Sequence, residues 1–230
     1  MVLLNREQLI PTGPVDHADW NYRPFLGTIL RWRFQMMLKL LGTRKFDSLL
    51  EIGYGSGVFM PELARHCRRL NGIDIHDRHA EVGDVLRANA VEADLRSGSM
   101  TKMPFRDESF DCVVALSAME FVDDIEAASA EIRRVLKPTG QFLMVTPGSS
   151  PLLDCGLWIL TRESARKDFG GRRERIVPAL RHHFHVTEEI RSPRLGHQLV
   201  CVYRGLQMNP RVRTRVQSIR QAESMLSVRT

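Results

Sequence analysis

Three closely spaced glycines and one aspartate are the residues of this sequence best suited to hold a ligand. Gly53, Gly55 and Gly57 follow the apolar run LLEI and precede a pattern of helical spacing. Glycine lets the backbone turn sharply and approach a ligand, and free N–H groups at a helix start favour polar or anionic groups. Asp74 ends the next apolar run, where a carboxylate can accept hydrogen bonds from both ribose hydroxyls. Together these features indicate a nucleoside-containing ligand.

The spacing of the glycines narrows the choice of nucleoside. The dinucleotide fingerprint places a third small residue where this chain has Val58, and valine there argues against NAD or FAD. The pattern here is G-x-G-x-G, preceded by Glu51. A lone pattern of this kind also occurs as a purely structural turn, so the interpretation depends on the elements that surround it.

Short apolar runs alternate with helical patterns over residues 46–148, which is typical of βαβ units that feed a parallel sheet. The predicted strands are residues 46–53, 69–74, 93–98, 110–117 and 140–147. The predicted helices are residues 58–68, 77–89 and 125–136. The third strand is polar for a parallel sheet, so we expect it at an edge.

The pattern changes after Pro147. We predict an insertion over about residues 149–175, a short helix at 177–182, and two antiparallel strands at 184–190 and 197–203. The chain is therefore expected to have three parts. They are an N-terminal helical cap at 1–45, a central domain at 46–205 and a basic C-terminal extension at 206–230.

Composition limits the class of protein. The 230 residues are 43% hydrophobic and 26% charged, and no run reaches the ~18 consecutive apolar residues of a transmembrane segment. The opening residues do not form a signal peptide and the four cysteines are widely separated, so we expect a cytoplasmic protein with reduced thiols. The formal charge of +6 divides into +4 for residues 1–45, −6 for 46–148 and +8 for 149–230. The basic ends fit an anionic substrate, a membrane surface or only solvent.

Four successive motifs resemble the class I S-adenosylmethionine-dependent methyltransferases, within the small-molecule group that includes the ubiquinone and menaquinone methylases. The motifs are LLEIGYGSG, GID, MPFRDESFDCVVA and EIRRVLKPTGQFLMVTP, and they cover about residues 46–148. The resemblance implies an α/β fold with a doubly wound, mostly parallel seven-stranded sheet, strand order 3-2-1-4-5-7-6 and helices on both faces. It also implies S-adenosylmethionine as cofactor, S-adenosylhomocysteine as product and residues 46–205 as the methyltransferase domain.

The resemblance assigns roles to individual residues. The glycine loop is expected to hold the methionine and ribose parts of the cofactor, Asp74 the ribose and Ile75 the adenine. Where relatives have an Asp that reaches the adenine, this chain has Ser99, whose hydroxyl can accept the same hydrogen bond beside the Met100 N–H. The full set of expected cofactor contacts is Glu51, Gly53, Tyr54, Gly55, Gly57, Asp74, Ile75, Ser99, Met100 and Ser117.

Glu120 is the candidate for catalysis. Methyl transfer needs alignment more than a base, and a base is required only when the acceptor must lose a proton. Relatives often carry a histidine where this chain has Phe121, which leaves Glu120 as the acid–base candidate after the fourth strand. The alternative is a glutamate at a helix start that only complements the helix dipole.

Two residues of the N-terminal segment are candidates for acceptor contact. Arg33 falls in the middle of a wide apolar arc of the helical pattern at 25–41. Its guanidinium therefore needs an anionic partner, which is either an internal carboxylate or a carboxylate or phosphate of the substrate. Tyr22, with Trp20, either covers the cofactor sulfonium through a cation–π contact or packs on the rim of the domain.

The expected function is in-line methyl transfer to a small or lipid-like molecule. Alternatives are a nicotinamide oxidoreductase on the same fold, a binding protein that keeps the cofactor without turnover, and nucleic-acid modification. Nucleic acid is disfavoured because aromatic residues are few, and apolar segments beside arginine fit peripheral membrane contact better. No metal is expected, because His182, His183 and His185 lack the spacing that would complete a site.

Overall fold

The computed structural model describes residues 1–13, 16–148, 172–192 and 201–211. Seven strands form one sheet with the order β3-β2-β1-β4-β5-β7-β6. The strands are β1 Phe46–Ile52, β2 Cys67–Asp74, β3 Ala93–Ser97, β4 Phe110–Leu116, β5 Leu136–Pro147, β6 Phe184–Ser192 and β7 Tyr203–Pro210. Neighbouring strands are parallel except at β7, which runs antiparallel to β5 and β6. The expected fold class and strand order are confirmed.

Helices flank both faces of this sheet. In the described ranges they are α1 Leu26–Leu41, α2 Met60–Ala64, α3 His79–Ala88, α4 Ile125–Val135 and α5 Arg172–His183. Short 3-10 helices lie at Arg6–Gln8, Ala18–Tyr22 and Met119–Phe121. None of the helices in the described part of the chain is long and apolar enough to cross a membrane.

Alternation along the central strands creates two hydrophobic cores. In β4, Cys112 and Val114 pack on the side of α1, α2 and α3, whereas Val113 and Ala115 pack on the side of α4 and α5. Each fully buried aliphatic side chain of this kind stabilises the fold by about 1.5–3 kcal/mol. Because β1, β2, β4 and β5 run parallel, the residues that follow these strands all lie at the carboxyl edge of the sheet.

Arg44 fixes the end of α1 over the amino half of the sheet. Its Nε donates to Leu41 O at 3.0 Å and one Nη donates to Gln207 Oε1 at 3.0 Å. The guanidinium also contacts Leu40 O and the Gln141 side chain of β5. These contacts close the helix terminus and position α1 against β5 and β7.

Two predicted element boundaries before Pro147 are corrected. The helix expected at 58–68 covers only Met60–Ala64, because Cys67 already pairs with Phe46 and so belongs to β2. β5 begins at Leu136 rather than at residue 140, because Leu136 pairs with β4. The polar strand β3 lies at the edge of the sheet, as expected.

The C-terminal strands require a further correction. β7 runs over Tyr203–Pro210, whereas the sequence predicted the last strand at 197–203. Residues 206–210, which were assigned to the C-terminal extension, therefore pair within the sheet. α5 begins at Arg172. The remainder of the predicted insertion, residues 193–200 with the first part of the strand predicted at 197–203, and residues 212–230 lie outside the described residues.

Candidate functional site

The loop after β1 has a backbone conformation that glycine adopts most easily. Gly53, Gly55 and Gly57 have φ values of 73°, 51° and 71°. A Cβ on Gly53 would lie 2.5 Å from Ala118 Cβ, and one on Gly57 would lie 3.1 Å from Val82 Cγ1. The turn and the close packing therefore both require these glycines.

Asp74 ties the end of β2 to this loop. Its Oδ2 accepts a hydrogen bond from Gly55 N–H at 2.8 Å, and its Oδ1 accepts one from Ile75 N–H at 2.7 Å. The Asp74 side chain is only partly buried, and carboxylate oxygens have further lone pairs to offer. The Ile75 side chain beside it is exposed. Asp74 is therefore fixed by the backbone and can still accept hydrogen bonds from a ligand.

His76 supports the same loop, and sequence reasoning missed it. Its Nε2 lies 3.1 Å from Gly55 O, and its Nδ1 accepts a hydrogen bond from Arg78 N–H at 3.1 Å. Its ring meets Tyr54 edge-on, with centroids 5.0 Å apart. These contacts fit the neutral imidazole with its proton on Nε2. The position two residues after the acidic end of β2 is the only signal that the sequence offered.

Buried polar atoms without partners are concentrated around the loop. Among the described residues, six buried side-chain nitrogen or oxygen atoms have no hydrogen-bond partner. Five of the six belong to the loop, to the adjacent strand ends or to α1, and they are Arg33 Nε, Glu51 Oε2, Tyr54 OH, Ser56 Oγ and Ser117 Oγ. Leaving such an atom unpaired costs about 1–3 kcal/mol, so these are the atoms that water or a bound polar ligand would partner. Ser56 was not among the expected contacts.

Glu51 carries a carboxyl group that is almost entirely removed from solvent. The residue is 3% exposed. Burial raises the pKa of Glu51 to about 8, the charge of Asp74 adds to the rise, and the charge of Arg33 opposes it. A cation beside Glu51 would favour its ionised form. This part of the site is therefore suited to a positively charged group.

Arg33 connects the N-terminal segment to the same region. One Nη donates to Asn21 Oδ1 at 3.2 Å, and the guanidinium lies 4.9 Å from the centroid of the Phe34 ring. Its charge opposes the rise in pKa that burial causes at Glu51 and at Tyr203. Within the described ranges no carboxylate lies at ion-pair distance from Arg33. The internal carboxylate expected from the sequence is thus not found there, and an amide oxygen takes its place.

Glu120 lies in the 3-10 turn that follows β4. It is 1% exposed, and its Oε2 accepts a hydrogen bond from Thr146 Oγ1 at 3.3 Å. Burial raises the pKa of Tyr203, Arg33 lowers it, and the charge of Glu120 raises it again. Ser117, just before the turn, has a φ of 54°. The Glu120 carboxyl group, the Thr146 hydroxyl and the Tyr203 phenol thus lie together at the ends of β4 and β5 and the start of β7.

Ser99 and Met100 follow β3 on the same edge. Gly98 N–H donates to Asp74 O at 2.8 Å, which holds this turn beside the end of β2. The Ser99 hydroxyl is engaged locally, because it accepts a hydrogen bond from Thr101 N–H at 3.2 Å. It also lies 2.8 Å from Thr101 Oγ1, so a lone pair remains for a ligand when the Ser99 hydroxyl donates its proton to Thr101.

Tyr22 is held away from this cluster by contacts of its own. Its hydroxyl donates to Leu4 O, and its ring packs against the core on the α1 side. Leu4 N–H in turn donates to Val58 O at 3.2 Å. Trp20 stacks on His17 with ring centroids 4.0 Å apart. These contacts agree with packing on the rim, the alternative that the sequence left open.

The two histidines at the end of α5 lie against a glutamate of α4. His183 Nε2 lies 2.8 Å from Glu126 Oε1, and His182 Nδ1 lies 3.5 Å from the same oxygen. No group of three or more His, Cys, Asp or Glu side chains in the described part of the chain is arranged to hold a metal ion.

Sequence comparisons match the central part of the chain. A family model described as a methyltransferase domain matches residues 50–144. A sterol 4-C-methyltransferase of Caenorhabditis elegans is 34% identical over 98 residues, which are 41% of this chain and 29% of that protein. A demethylmenaquinone methyltransferase of Staphylococcus aureus is 33% identical over 112 residues, which are 47% of this chain and 46% of that protein. The chain thus spans less than half the length of these curated relatives.

Solved structures resemble the fold over most of the chain. The N-methyltransferase NodS of Bradyrhizobium japonicum, in complex with S-adenosyl-L-homocysteine, has a TM-score of 0.59 at 18% identity and covers 87% of this chain and 95% of that one. The [4+2]-cyclase SpnF has a TM-score of 0.60 at 17% identity and covers 80% of this chain and 81% of that one. At these identities the likeness shows the fold alone.

Proposed function

We propose that the chain transfers a methyl group from S-adenosylmethionine to a small or lipid-like acceptor, and the match of residues 50–144 to a family model described as a methyltransferase domain supports this. The observation that carries the proposal is the cluster of buried, unpartnered polar atoms around the loop of positive φ. When bound, this cofactor supplies a methyl group already activated on a sulfonium. The residues of the chain therefore have to bind, align and exclude water.

The chemistry of the loop fits this cofactor group by group. The cofactor's ammonium group is a cation, and Glu51 Oε2 is a buried carboxylate oxygen that lacks a partner. The ribose hydroxyls are donors, and Asp74 has lone pairs left to accept them. Ile75 offers an exposed apolar surface to the adenine, beside Ser99 and the Met100 N–H. S-adenosylhomocysteine keeps the same ammonium and ribose groups, so it should bind the same residues.

Glu120 is proposed to receive a proton from an acceptor that must lose one. Thr146 Oγ1 donates to Glu120 Oε2 and so orients the carboxyl group. An acceptor that attacks through a lone pair without losing a proton needs no such base. The variant Glu120→Gln separates these cases, because it keeps the shape of the side chain and removes only its ability to accept a proton.

The acceptor is proposed to be apolar. The relatives named for a sterol and for demethylmenaquinone support this class. A groove of about 800 Å³ between α1 and β6 has an apolar part, formed by Trp32, Met36 and Ile190, and a polar part, formed by Gln35, Lys39, Glu189 and Arg191. Ser192 also lines it and pairs with Tyr203, so the groove adjoins the end of the site that holds Glu120. Arg33 Nε, buried and unpartnered, is the proposed donor to a polar atom of the acceptor.

Residues 1–45 are proposed to cap the cofactor site. Asp16 lies over the loop, since a Cβ on Gly55 would be 3.6 Å from its Oδ1. Arg78, after β2, donates to Pro11 O at 2.7 Å. These contacts hold the segment on the carboxyl edge, where it can exclude water from the reacting groups.

Calorimetry with S-adenosylmethionine, S-adenosylhomocysteine and NADH tests the proposal. The wild type should bind the first two ligands and not NADH. Asp74→Ala should weaken binding by about tenfold or more, because a hydrogen bond to a charged group contributes about 1.5–3 kcal/mol. The matched control is Asp94→Ala, which removes an exposed carboxylate of β3 that pairs with Arg96. Failure of the wild type to bind S-adenosylmethionine would overturn the proposal.

A further inference from the structure

The carboxyl group of Asp16 faces the glycine loop, although Asp16 belongs to the N-terminal segment. If Gly55 carried a Cβ, the three heavy atoms nearest to it would be Asp16 Oδ1 at 3.6 Å and Asp16 Cγ and Oδ2, both at 3.7 Å. These are ordinary van der Waals distances, so the carboxylate lies directly over Gly55. Asp16 is only partly buried, and a ligand that reaches the loop can therefore meet it.

The N-terminal segment reaches the loop along α3. Gln8 Nε2 donates to Asn89 Oδ1 at 3.2 Å, beside the C-terminal end of this helix. Arg78, just before the helix begins, donates to Pro11 O at 2.7 Å. The chain thus passes from the C-terminal to the N-terminal end of α3 before it arrives at Asp16. The N-terminal end of α3 follows β2, so these contacts hold the segment at the carboxyl edge of the sheet.

Asp16 is oriented by neutral donors of its own segment. The Thr12 hydroxyl donates to Asp16 Oδ2 at 2.6 Å, and the Thr12 backbone N–H donates to the same oxygen at 3.3 Å. Ala18 N–H donates to Asp16 Oδ1 at 3.2 Å. These bonds fix the direction of the carboxylate and leave its charge without a cationic partner. Oδ1 also keeps a lone pair for a further contact.

Three carboxyl groups meet around this loop. Asp74 Oδ2 accepts a hydrogen bond from Gly55 N–H, so Asp74 and Asp16 lie beside the same glycine. Burial raises the pKa of Glu51, and the charge of Asp74 adds to the rise. Within the described residues, no lysine or arginine lies at ion-pair distance from any of the three carboxyl groups. Glu51 is 3% exposed and its Oε2 has no partner, which independently indicates that a ligand completes this site.

The charge that these carboxyl groups meet changes during the proposed reaction. The proposed contacts place the ribose at Asp74 and the ammonium group at Glu51. The sulfur atom is bonded to both the ribose and the methionine parts, so it has to lie between these two residues. When the acceptor attacks the methyl carbon, the bond from that carbon to sulfur breaks and its electron pair stays on sulfur. The sulfonium becomes a neutral thioether, while the ribose and the ammonium group are unchanged.

We infer that Asp16 distinguishes S-adenosylmethionine from S-adenosylhomocysteine, because its carboxylate stabilises the positive charge on sulfur that only the first of them carries. The inference rests on the proposed function and adds a residue of the N-terminal segment to the cofactor site. Before transfer, the attraction between Asp16 and the sulfonium holds the segment over the loop. After transfer this attraction is lost, which favours release of the product.

Calorimetry of both ligands on the wild type and on Asp16→Asn tests the inference. Asparagine keeps the shape of the side chain and can still accept from Ala18 N–H, but it has no charge. The affinity for S-adenosylmethionine should fall about five- to tenfold, and that for S-adenosylhomocysteine should change less than about twofold. Asp16→Glu keeps the charge and should retain most of the preference for S-adenosylmethionine. The ratio of the two dissociation constants is the readout, and it requires no acceptor.

Asp19→Asn is the matched control. Asp19 lies in the same segment, is well exposed and pairs with Arg23 at 3.5 Å. Its substitution removes the same unit of charge and should leave the ratio unchanged. Three results would overturn the inference alone. They are an Asp16→Asn protein with wild-type affinities, one that loses affinity for both ligands to the same extent, and an equal change of the ratio in Asp19→Asn. A wild type that binds neither ligand would overturn the proposed function as well.

Discussion

The polar groups at the two ends of the parallel strands, here called the amino edge and the carboxyl edge of the sheet, differ in their hydrogen bonding. At the amino edge, Asp111 Oδ1 accepts a hydrogen bond from Lys137 Nζ at 2.7 Å, and its Oδ2 accepts one from Ser48 N–H at 2.9 Å. At the carboxyl edge, Glu51 and Ser117 have buried oxygen atoms without partners. Both edges belong to the same strands, so the difference does not follow from the fold alone. Asp111 at the amino edge finds its hydrogen-bond partners within the chain, whereas Glu51 and Ser117 at the carboxyl edge have oxygen atoms that a ligand can partner.

This difference predicts how substitutions should behave. A change at the amino edge should lower the free energy of unfolding and leave ligand binding intact. A change at the carboxyl edge should alter ligand binding, and it should lower stability only where packing is also lost. Measurements of stability and ligand binding on matched variants from the two edges test this contrast.

The largest effect is expected for Gly53→Ala. The added Cβ would meet Ala118 Cβ at 2.5 Å, and φ of 73° disfavours any side chain. We expect the free energy of unfolding to fall by about 3 kcal/mol and S-adenosylmethionine binding to be lost. Urea denaturation and calorimetry measure the two quantities.

Gly42→Ala is the matched control at the end of α1 near the amino edge. Gly42 also has a positive φ, of 59°, but a Cβ there would meet nothing within 4 Å. The variant is then penalised only by its backbone conformation. Its free energy of unfolding should fall by about 1 kcal/mol, and its binding of S-adenosylmethionine should be unchanged. Equal losses of stability in the two variants would show that the packing of the loop against Ala118 is unimportant.

The next effect concerns the pH dependence that Glu51 imposes. Burial raises the pKa of Glu51 from 4.5 to about 8, so the folded chain keeps a proton that the unfolded chain releases. The resulting stabilisation is fully present below pH 4.5 and is lost as the pH rises through about 8. Over this range the unfolding free energy of the wild type should therefore fall by a few kcal/mol more than that of Glu51→Gln.

Urea denaturation at the two ends of this pH range measures the difference. S-adenosylmethionine should bind Glu51→Gln about tenfold more weakly, because the cation loses its charged partner. Parallel pH profiles for the two proteins would show that Glu51 is not the group responsible.

A smaller effect is expected for Asp111→Asn at the amino edge. Partial burial acts to raise the pKa of Asp111, but hydrogen bonds from Lys137 and Ser48 lower it overall. Its stabilisation is therefore present above the ordinary pKa of 3.8 and is lost as the pH falls through the depressed value. The variant should lose about 1 kcal/mol at neutral pH without any change in ligand affinity.

Asp47→Asn supplies the comparison on the same edge. Its exposed ion pair with Arg69 should contribute at most about 0.5 kcal/mol. A change in S-adenosylmethionine affinity in either amino-edge variant would contradict the division of roles between the edges.

The sequence predicted those parts of the structure that depend on residues close together in the chain. Glycine spacing predicted the sharp loop after β1, and short apolar runs between helical patterns predicted most of the parallel strands. The start of β7 was missed because Gly205 interrupts the strand pattern. A Cβ there would lie 2.8 Å from Ile190 Cγ1, so the glycine is required by the close approach of β6.

Long-range packing determined the parts that were missed. The helical pattern placed Phe25 within the apolar arc of α1, but the residue precedes the helix in a γ-turn and points into solvent. Arg33 was expected to meet an anion, and it meets Asn21, which the 3-10 helix at Ala18–Tyr22 brings against α1. Neither the position of Phe25 nor the contact between Arg33 and Asn21 follows from the spacing of residues along α1.

The smallest effect, and the sharpest test of the contrast, is expected for Ser99→Asp. The Ser99 hydroxyl already accepts from Thr101 N–H, which a carboxylate at this position can also do. The added carboxylate oxygen should strengthen the bond to the adenine amino group and raise S-adenosylmethionine affinity about three- to fivefold. The free energy of unfolding should stay within about 0.5 kcal/mol of the wild type. Thr139→Asp adds the same charge at an exposed position at the amino end of β5 and should leave the affinity unchanged. If both variants raise the affinity equally, the gain comes from net charge and not from a specific hydrogen bond at the carboxyl edge.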